Sequence, residues 1–141
     1  MPRAAANGIE IEYETFGDEA HPPLLLVMGL GAQMIAWDDE FCSQLAAKGF
    51  RVIRYDNRDV GLSTKVDGPL PDIAACFSGD GSSANYRLDD MADDAAALLD
   101  VLGIRAAHVV GASMGGMIAQ TLAIRHPARV LSLCSIMSTT G

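Results

Sequence analysis

Basic residues are scarce in this sequence. It has 10 Lys and Arg residues against 18 Asp and Glu, which gives a formal net charge of -8 and a pI near 4.6. A strongly negative protein is repelled by nucleic-acid phosphates and by anionic lipid surfaces, so this balance disfavours both as partners. We therefore expect a small-molecule partner, no nucleic acid and no membrane.

Long apolar runs and metal-like cysteine patterns are also missing. The most apolar window, residues 23–37, is interrupted by two glycines and is shorter than the roughly 20 residues that span a bilayer. The amino terminus has no apolar core of signal-peptide length. Cys42, Cys76 and Cys134 have no metal-like spacing, and their odd number argues against a closed set of disulfides. We expect a cytoplasmic protein with buried, reduced thiols, no cofactor and no bound metal.

Half of the 141 residues are hydrophobic and a fifth are charged, which is typical of one soluble globular domain. After the turn pair Asn7-Gly8, apolar residues alternate with three glutamates over residues 9–14, which predicts an antiparallel hairpin with an acidic face. The continuous apolar run 24–28 predicts a central strand that is buried on both faces.

Helix and strand patterns then alternate along the chain. Helical spacing from Met34 to Lys48 is followed by a strand at 50–55, a long loop at 64–86, a helix at 88–102, a strand at 107–110, a helix at 114–124 and a strand at 130–137. Repeated crossovers of this kind predict an α/β fold with a mostly parallel sheet and helices on both faces. In such sheets the reacting groups gather outside the carboxyl ends of the strands.

The strand at 107–110 ends in the pattern Gly111-x-Ser113-x-Gly115. In a nucleophile elbow a strand turns sharply into a helix, and a serine at the apex has a strained backbone and an exposed hydroxyl. Glycines two residues away remove Cβ atoms that would collide in so tight a turn. The same five-residue pattern also describes an ordinary glycine-rich turn, but the flanking strand and helix favour Ser113 as a nucleophile.

Two turns could supply the backbone donors that stabilise a tetrahedral intermediate. The N–H of Met114 follows the serine at a helix amino terminus, where the helix dipole favours negative charge. Gly29-Leu30-Gly31 follows the early central strand, and its glycines allow the N–H of Leu30 to face the reacting carbonyl. The alternative for this second turn is a flexible strand-to-helix loop.

Four aspartates crowd the first turns of the helix at 88–102, at Asp89, Asp90, Asp93 and Asp94. Clustered carboxylates suggest a metal site. The helix dipole also favours acids at this end, however, and they can form a solvated outer face without any ligand. We expect the solvated face.

Together these motifs resemble the α/β-hydrolase superfamily over essentially the whole chain. The resemblance is carried by residues 28–31, by Trp37 and Phe41, by residues 56–63 and by residues 111–116. Met28, where many members have histidine, and Asp59, where many have glycine, resemble the branch that includes bacterial aclacinomycin methylesterase.

This resemblance implies a serine esterase. Ser113 would be the nucleophile, and the N–H groups of Leu30 and Met114 would form the oxyanion hole. The expected reaction is hydrolysis of a small apolar carboxylic ester through an acyl-enzyme, without a cofactor. Haloalkane dehalogenases and epoxide hydrolases of this fold use aspartate at the elbow, so a serine there disfavours their chemistry.

The acid and the base of the family's triad follow later strands. His21, His108 and His126 occupy none of the base's positions, and we expect all three to be structural. The resemblance thus implies that residues 1–141 are the amino-terminal part of one hydrolase domain of about 250 to 300 residues, truncated after the strand that follows the nucleophile helix. We expect this part alone to be inactive, with strand 130–136 as an uncovered apolar edge able to self-associate.

Two alternatives remain open. The same fold supports carbon–carbon bond hydrolysis and cofactor-free perhydrolysis, whose discriminating residues would lie outside these 141. A different class of function is a non-catalytic binding module on the hydrolase scaffold, in which the uncovered edge strand docks a partner.

Overall fold

A computed structural model describes residues 2–140, except for the side chain of Phe77. Six strands and four α-helices follow one another in these residues. The strands are β1 (Arg3–Ala6), β2 (Ile9–Phe16), β3 (Pro23–Val27), β4 (Arg51–Tyr55), β5 (Ala107–Ala112) and β6 (Val130–Ile136). The helices are α1 (Asp39–Ala47), α2 (Ile73–Phe77), α3 (Leu88–Val101) and α4 (Met114–Arg125), with short 3-10 turns at Met34–Ala36 and Pro127–Arg129.

The six strands form one sheet in the order β1-β2-β4-β3-β5-β6. β2 pairs antiparallel with both β1 and β4. β3 pairs in parallel with both β4 and β5, and β5 pairs in parallel with β6. The prediction of a mostly parallel α/β sheet with an antiparallel amino-terminal hairpin is confirmed. Because β3 to β6 are all parallel, their carboxyl ends meet at one edge of the sheet, and the turns after them are neighbours.

The central strand β3 divides the core into two layers. Leu25 and Val27 face the cluster that contains α3 and α4, whereas Leu24 and Leu26 face the cluster that contains Trp37 and the α1 residue Cys42. The last four of the five β3 residues are buried, which explains the unbroken apolar run, because a strand covered on both faces needs no polar alternation. Each such side chain contributes roughly 1.5–3 kcal/mol through burial.

The first helix begins later than its periodicity predicts. Met34 lies in a 3-10 turn, and Trp37 and Asp38 have extended backbones, with ψ of 91° and 160°. The carboxylate of Asp38 accepts a hydrogen bond from the N–H of Phe41 at 2.8 Å, and the carbonyl of Trp37 accepts one from the buried Arg54 of β4. These bonds start α1 at Asp39, so the predicted continuous helix from Met34 is wrong.

The expectation of a fully solvated acidic face on α3 is wrong at Asp94. This residue is only 2% exposed and forms a two-pronged hydrogen bond with Arg58, at 2.7 Å and 2.8 Å. Asn7 donates a further hydrogen bond to it at 2.9 Å. The helical repeat turns Asp94 inward, beside Met91 and Leu98, where a cation from another element neutralises it.

Two smaller expectations also need correction. The loop at 64–86 contains the short helix α2, which the carboxylate of Asp72 caps by accepting the N–H of Ala75 at 3.0 Å. Of the three free cysteines, Cys42 is buried, whereas Cys76 is partly exposed and Cys134 is exposed, so the expectation of buried thiols holds for one residue.

β6 lies at the edge of the sheet with six of its seven residues exposed. Leu131 and Leu133 are among them, so the apolar edge expected from the sequence is present. Within residues 2–140, no α-helix is both long and apolar enough to cross a bilayer.

Candidate active site

Ser113 lies between β5 and α4 in a strained backbone conformation. Its φ of 56° and ψ of -124° are angles that residues other than glycine rarely adopt. Its N–H donates to the carbonyl of Ile136 at 2.8 Å, and its own carbonyl accepts the N–H of Gly116 at 2.9 Å. The residue is exposed, and its side chain does not cap α4, the helix that it precedes in the described chain. The predicted geometry, a strand that turns sharply into a helix at an exposed serine with a strained backbone, is confirmed.

The two glycines of the motif are required by close packing. A Cβ atom on Gly111 would overlap the carbonyl oxygen of Gly115, and one on Gly115 would overlap the carbonyl oxygen of Val27 in β3. The first turn of α4 therefore packs directly against the backbones of β5 and β3. This contact is the physical reason for glycine two residues before and two residues after the serine.

The turn after β3 lies against the elbow. A Cβ atom on Gly29 would be 3.1 Å from the Cβ of Ser113 and 3.5 Å from the backbone nitrogen of Met114. The side chain of Leu30 is 77% exposed, and Gly31 has a φ of 68°, in the left-handed region that favours glycine. The structure therefore places the turn that contains Leu30 beside the predicted site residues Ser113 and Met114, at the carboxyl edge of the sheet.

The turn after β4 contains two buried polar residues to which the sequence analysis assigned no role. The side-chain amide of Asn57 donates to the carbonyl of Met28 at 2.8 Å. One carboxylate oxygen of Asp56 accepts the N–H of Met34 at 2.7 Å, and the other accepts the N–H of Leu62 at 3.0 Å. The feature of the sequence that points to these two residues is their position. Polar residues directly after a buried parallel strand lie at the edge of the sheet where the site forms.

Two of the three histidines are remote from Ser113 along the sheet. His108 precedes it by five residues in β5, or about 16 Å at 3.3 Å per residue. Nδ1 of His108 lies 2.7 Å from the hydroxyl of Ser132, in β6. His21 lies in the turn before β3, at the opposite end of that strand from the elbow.

The third histidine follows the far end of α4, roughly 18 Å from the elbow at 1.5 Å per residue. Nε2 of His126 lies 2.7 Å from Oδ1 of Asp93, and Oδ2 of the same carboxylate accepts a hydrogen bond from Arg125 at 2.8 Å. The hydrogen bond from Arg125 lowers the pKa of Asp93 below its usual value. The structure therefore places this imidazole in a surface ion cluster and not beside Ser113.

The clustered aspartates of α3 have protein partners. Asp93 binds Arg125, Asp94 binds Arg58, and the side chain of Asp90 accepts the N–H of Arg87 at 2.7 Å. In the part of the chain that the structure describes, no group of three or more His, Cys, Asp or Glu side chains could hold a metal ion.

Comparison with known proteins supports the fold family that the sequence motifs resemble. The family model of the alpha/beta hydrolase fold matches residues 22–140. Rhodomycin D methylesterase DauP of Streptomyces sp. (strain C5) is 44% identical over 120 residues, which are 85% of this chain and 36% of that protein. The resemblance to a methylesterase branch is thereby confirmed.

Two further relatives carry enol-lactonase names. 3-oxoadipate enol-lactonase 2 of Acinetobacter baylyi is 35% identical over 124 residues, covering 88% of this chain and 40% of that protein. The crystal structure of the enol-lactonase from Burkholderia xenovorans LB400 superposes with a TM-score of 0.77 at 32% identity, covering 94% of this chain and 45% of that one. The chain thus spans less than half the length of each of these relatives. With a family match over most of its length and the sheet and elbow described above, the chain belongs to the alpha/beta hydrolase fold family.

Proposed function

We propose that the whole protein containing these residues is a serine hydrolase that cleaves a carboxylic ester of a small apolar molecule. The observation that carries this proposal is the backbone of Ser113, held at φ 56° and ψ -124° with the residue exposed. Strain of this kind persists only where the surrounding structure enforces it, and it is concentrated at functional sites.

The proposed reaction has two steps. The Ser113 oxygen attacks the ester carbonyl as its proton passes to a base, and the bond to the alcohol breaks as that proton passes to the departing oxygen. Water then attacks the acyl-enzyme, which releases the carboxylic acid and restores the Ser113 hydroxyl. The N–H groups of Met114 and Leu30 are the proposed donors to the oxyanion, and loss of one such donor typically lowers kcat by about 10²–10³-fold. The proximity of Gly29 to both Ser113 and Met114 supports this pairing of turns.

The base that removes the serine proton is proposed to lie outside residues 1–141. His108 and His126 make hydrogen bonds to Ser132 and Asp93, at the opposite ends of β5 and α4 from the elbow. We therefore expect residues 1–141 alone not to turn over an ester. The relatives' greater length leaves room for a base and its acid in the whole protein.

The substrate class rests on two observations. The relatives are named for a methyl ester and an enol lactone, which are both carboxylic esters. Exposed apolar side chains occupy the turns at this edge of the sheet, at Leu30, Ile35 and Leu62. A small apolar ester would contact such side chains, and the net charge of -8 disfavours a nucleic acid or an anionic surface instead.

Covalent labelling tests the proposal. A fluorophosphonate added to the whole protein should modify Ser113, and the Ser113→Ala variant should lose the label. Ser132→Ala is the matched control, because Ser132 has an imidazole at 2.7 Å but lies within a strand, and this variant should label like the unchanged protein. Equal labelling of Ser113→Ala would show that the proposal is wrong.

A further inference from the structure

We propose that Asn57 is a positioning residue, which together with Asp56 holds the turn at residues 29–33 in place beside Ser113. This inference rests on the proposed function, because the turn matters for catalysis only if Ser113 is the nucleophile. Neither residue is proposed to contact the reacting atoms; both act through the backbone that provides an oxyanion donor.

The turn is hydrogen-bonded at both ends to consecutive residues. The carbonyl of Met28, just before it, accepts the amide of Asn57 at 2.8 Å. The N–H of Met34, just after it, donates to the carboxylate of Asp56 at 2.7 Å. Both side chains are almost fully buried, so water does not compete for these bonds.

Asp56 is itself held in place by hydrogen bonds to β2 and to Ser63. The N–H of Asp56 donates to the carbonyl of Glu12 at 3.0 Å, and its carbonyl accepts the hydroxyl of Ser63 at 2.6 Å. The Ser63 hydroxyl in turn accepts the N–H of Glu12 at 3.0 Å. A Cβ atom on Gly61 would overlap the Asp56 carboxylate, so the turn after β4 closes tightly around it. The two bonds therefore join residues 29–33 to the turn after β4, and that turn is itself bonded to β2 through Glu12.

Gly29 packs against the elbow and its carbonyl accepts the N–H of Ala32 at 3.4 Å, but the middle of the turn is exposed. The Leu30 side chain is exposed, and a Cβ atom built on Gly31 would meet nothing within 4 Å. Glycine has the greatest backbone freedom, so a stretch with two glycines varies widely in direction unless its ends are fixed. Because a displacement of about 1 Å can lower a catalytic rate by roughly 10²-fold, the Asn57 bond is expected to act on kcat through the direction of the Leu30 N–H.

The test replaces the donor without changing the side chain's shape. Asn57→Asp removes the NH₂ group that binds the Met28 carbonyl. In the whole protein we expect kcat for a p-nitrophenyl ester to fall about 10- to 100-fold with KM changed less than about 3-fold, because substrate binding does not use the turn's donor before the transition state. Amide hydrogen exchange should rise at residues 29–33 and stay unchanged in β3.

Asn85→Asp is the matched control. The Asn85 amide also donates to a backbone carbonyl, that of Pro69 at 3.0 Å, but within the loop at 64–86. This variant should keep the kcat and the exchange rates of the unchanged protein at residues 29–33. Equal kcat and equal exchange for Asn57→Asp and Asn85→Asp would overturn the proposal.

Two further measurements separate the possible failures. If Asn57→Asp does not fold, backbone order parameters of the unchanged protein decide: about 0.85 at residues 29–33 supports a held turn, and values below about 0.6 overturn it. If the fluorophosphonate does not modify Ser113 in the unchanged protein, the proposed function fails, while the exchange comparison still shows whether Asn57 holds the turn.

Discussion

At the scale of single residues, Ser113 combines a hydroxyl side chain with a backbone conformation that only glycine adopts without strain. Its N–H and carbonyl are both bonded, to Ile136 and Gly116, and these bonds enforce φ of 56°. Such a conformation costs on the order of 1–3 kcal/mol. The strain should be measurable by comparing two small replacements that both remove the hydroxyl.

We expect Ser113→Gly to unfold with a free energy about 1 kcal/mol higher than that of Ser113→Ala. Only glycine relieves the strain, and this gain exceeds the roughly 0.5–1 kcal/mol that its extra freedom in the unfolded chain costs. Urea unfolding monitored by circular dichroism measures the difference. In strand β6 the order should reverse, with Ser132→Gly less stable than Ser132→Ala. A glycine variant at 113 no more stable than the alanine variant would contradict the strained backbone.

At the scale of elements, α3 places a charge in the interior of the protein. Asp94 is 2% exposed and pairs with the nearly buried Arg58, and together they connect α3 to the turn after β4. The bond from Asn7 adds the turn between β1 and β2. One carboxylate therefore links three separate parts of the chain.

Asp94→Ala should lower the free energy of unfolding by about 3–5 kcal/mol, because it leaves the Arg58 guanidinium buried without a partner. Asp100→Ala on the same helix is the control. Asp100 is 67% exposed in its 2.7 Å ion pair with Arg129, and its loss should cost no more than about 1 kcal/mol. Urea unfolding measures the free energy of unfolding of both variants. Similar losses in the two would contradict the structural role of Asp94.

The loop at 64–86 returns to the body of the protein at Tyr86. The Arg58 guanidinium lies over its ring, 5.0 Å from the ring centre. Burial, followed by a hydrogen bond with Asp59, raises the pKa of Tyr86 to about 12. The folded protein thus holds the phenolic proton more tightly than the unfolded chain does, in which the pKa is about 10.

This shift predicts an alkaline loss of stability. The contribution of Tyr86 is fully present below pH 10 and is lost as the pH rises through about 12, because the unfolded chain releases the proton first. The urea midpoint should therefore fall less steeply between pH 10 and 12 in Tyr86→Phe than in the unchanged protein. Parallel pH profiles for the two would contradict the expectation.

At the scale of the whole molecule, the sheet ends in an open edge. Pairing in the described residues joins β6 to β5 on one side, and the other side presents strand backbone beside exposed leucines. An edge of this kind is a template for pairing with another chain. The net charge of -8 opposes association at long range, but it does not cover the edge.

We expect the 141-residue chain to self-associate through β6, with sedimentation coefficients that rise with concentration. Leu131→Lys, at a side chain that is 56% exposed, should lower this association, because a lysine on an edge strand opposes strand pairing. Leu70→Lys is the control: Leu70 is 95% exposed in the loop at 64–86, and its replacement should leave the association unchanged. Equal effects of the two substitutions would exclude β6 as the contact.

Much of the fold follows from local patterns in the sequence. Three patterns each satisfy a structural requirement that involves only a few neighbouring residues. They are the apolar run in β3, the alternation in β2 and the glycine spacing around Ser113. The order of strands and helices then restricts the sheet to a parallel winding, which brings the turns after β3 and β5 to one edge. The elbow, the adjacent Gly29 turn and the open edge could therefore all be predicted.

Other features depend on partners from distant parts of the chain. Arg54 bonds the Trp37 carbonyl just before α1 from 17 residues away, and the buried Asp94 pairs with Arg58, 36 residues away. The hydrogen bond from Asn57 to the Met28 carbonyl joins residues that are 29 positions apart. Periodicity cannot show such bonds, because it reports which face of an element is apolar and not which polar group meets it. The sequence by itself thus determined the strands, the elbow and the nucleophile candidate, whereas only the tertiary structure decided which buried polar groups pair, and through them how the turn beside Ser113 is held.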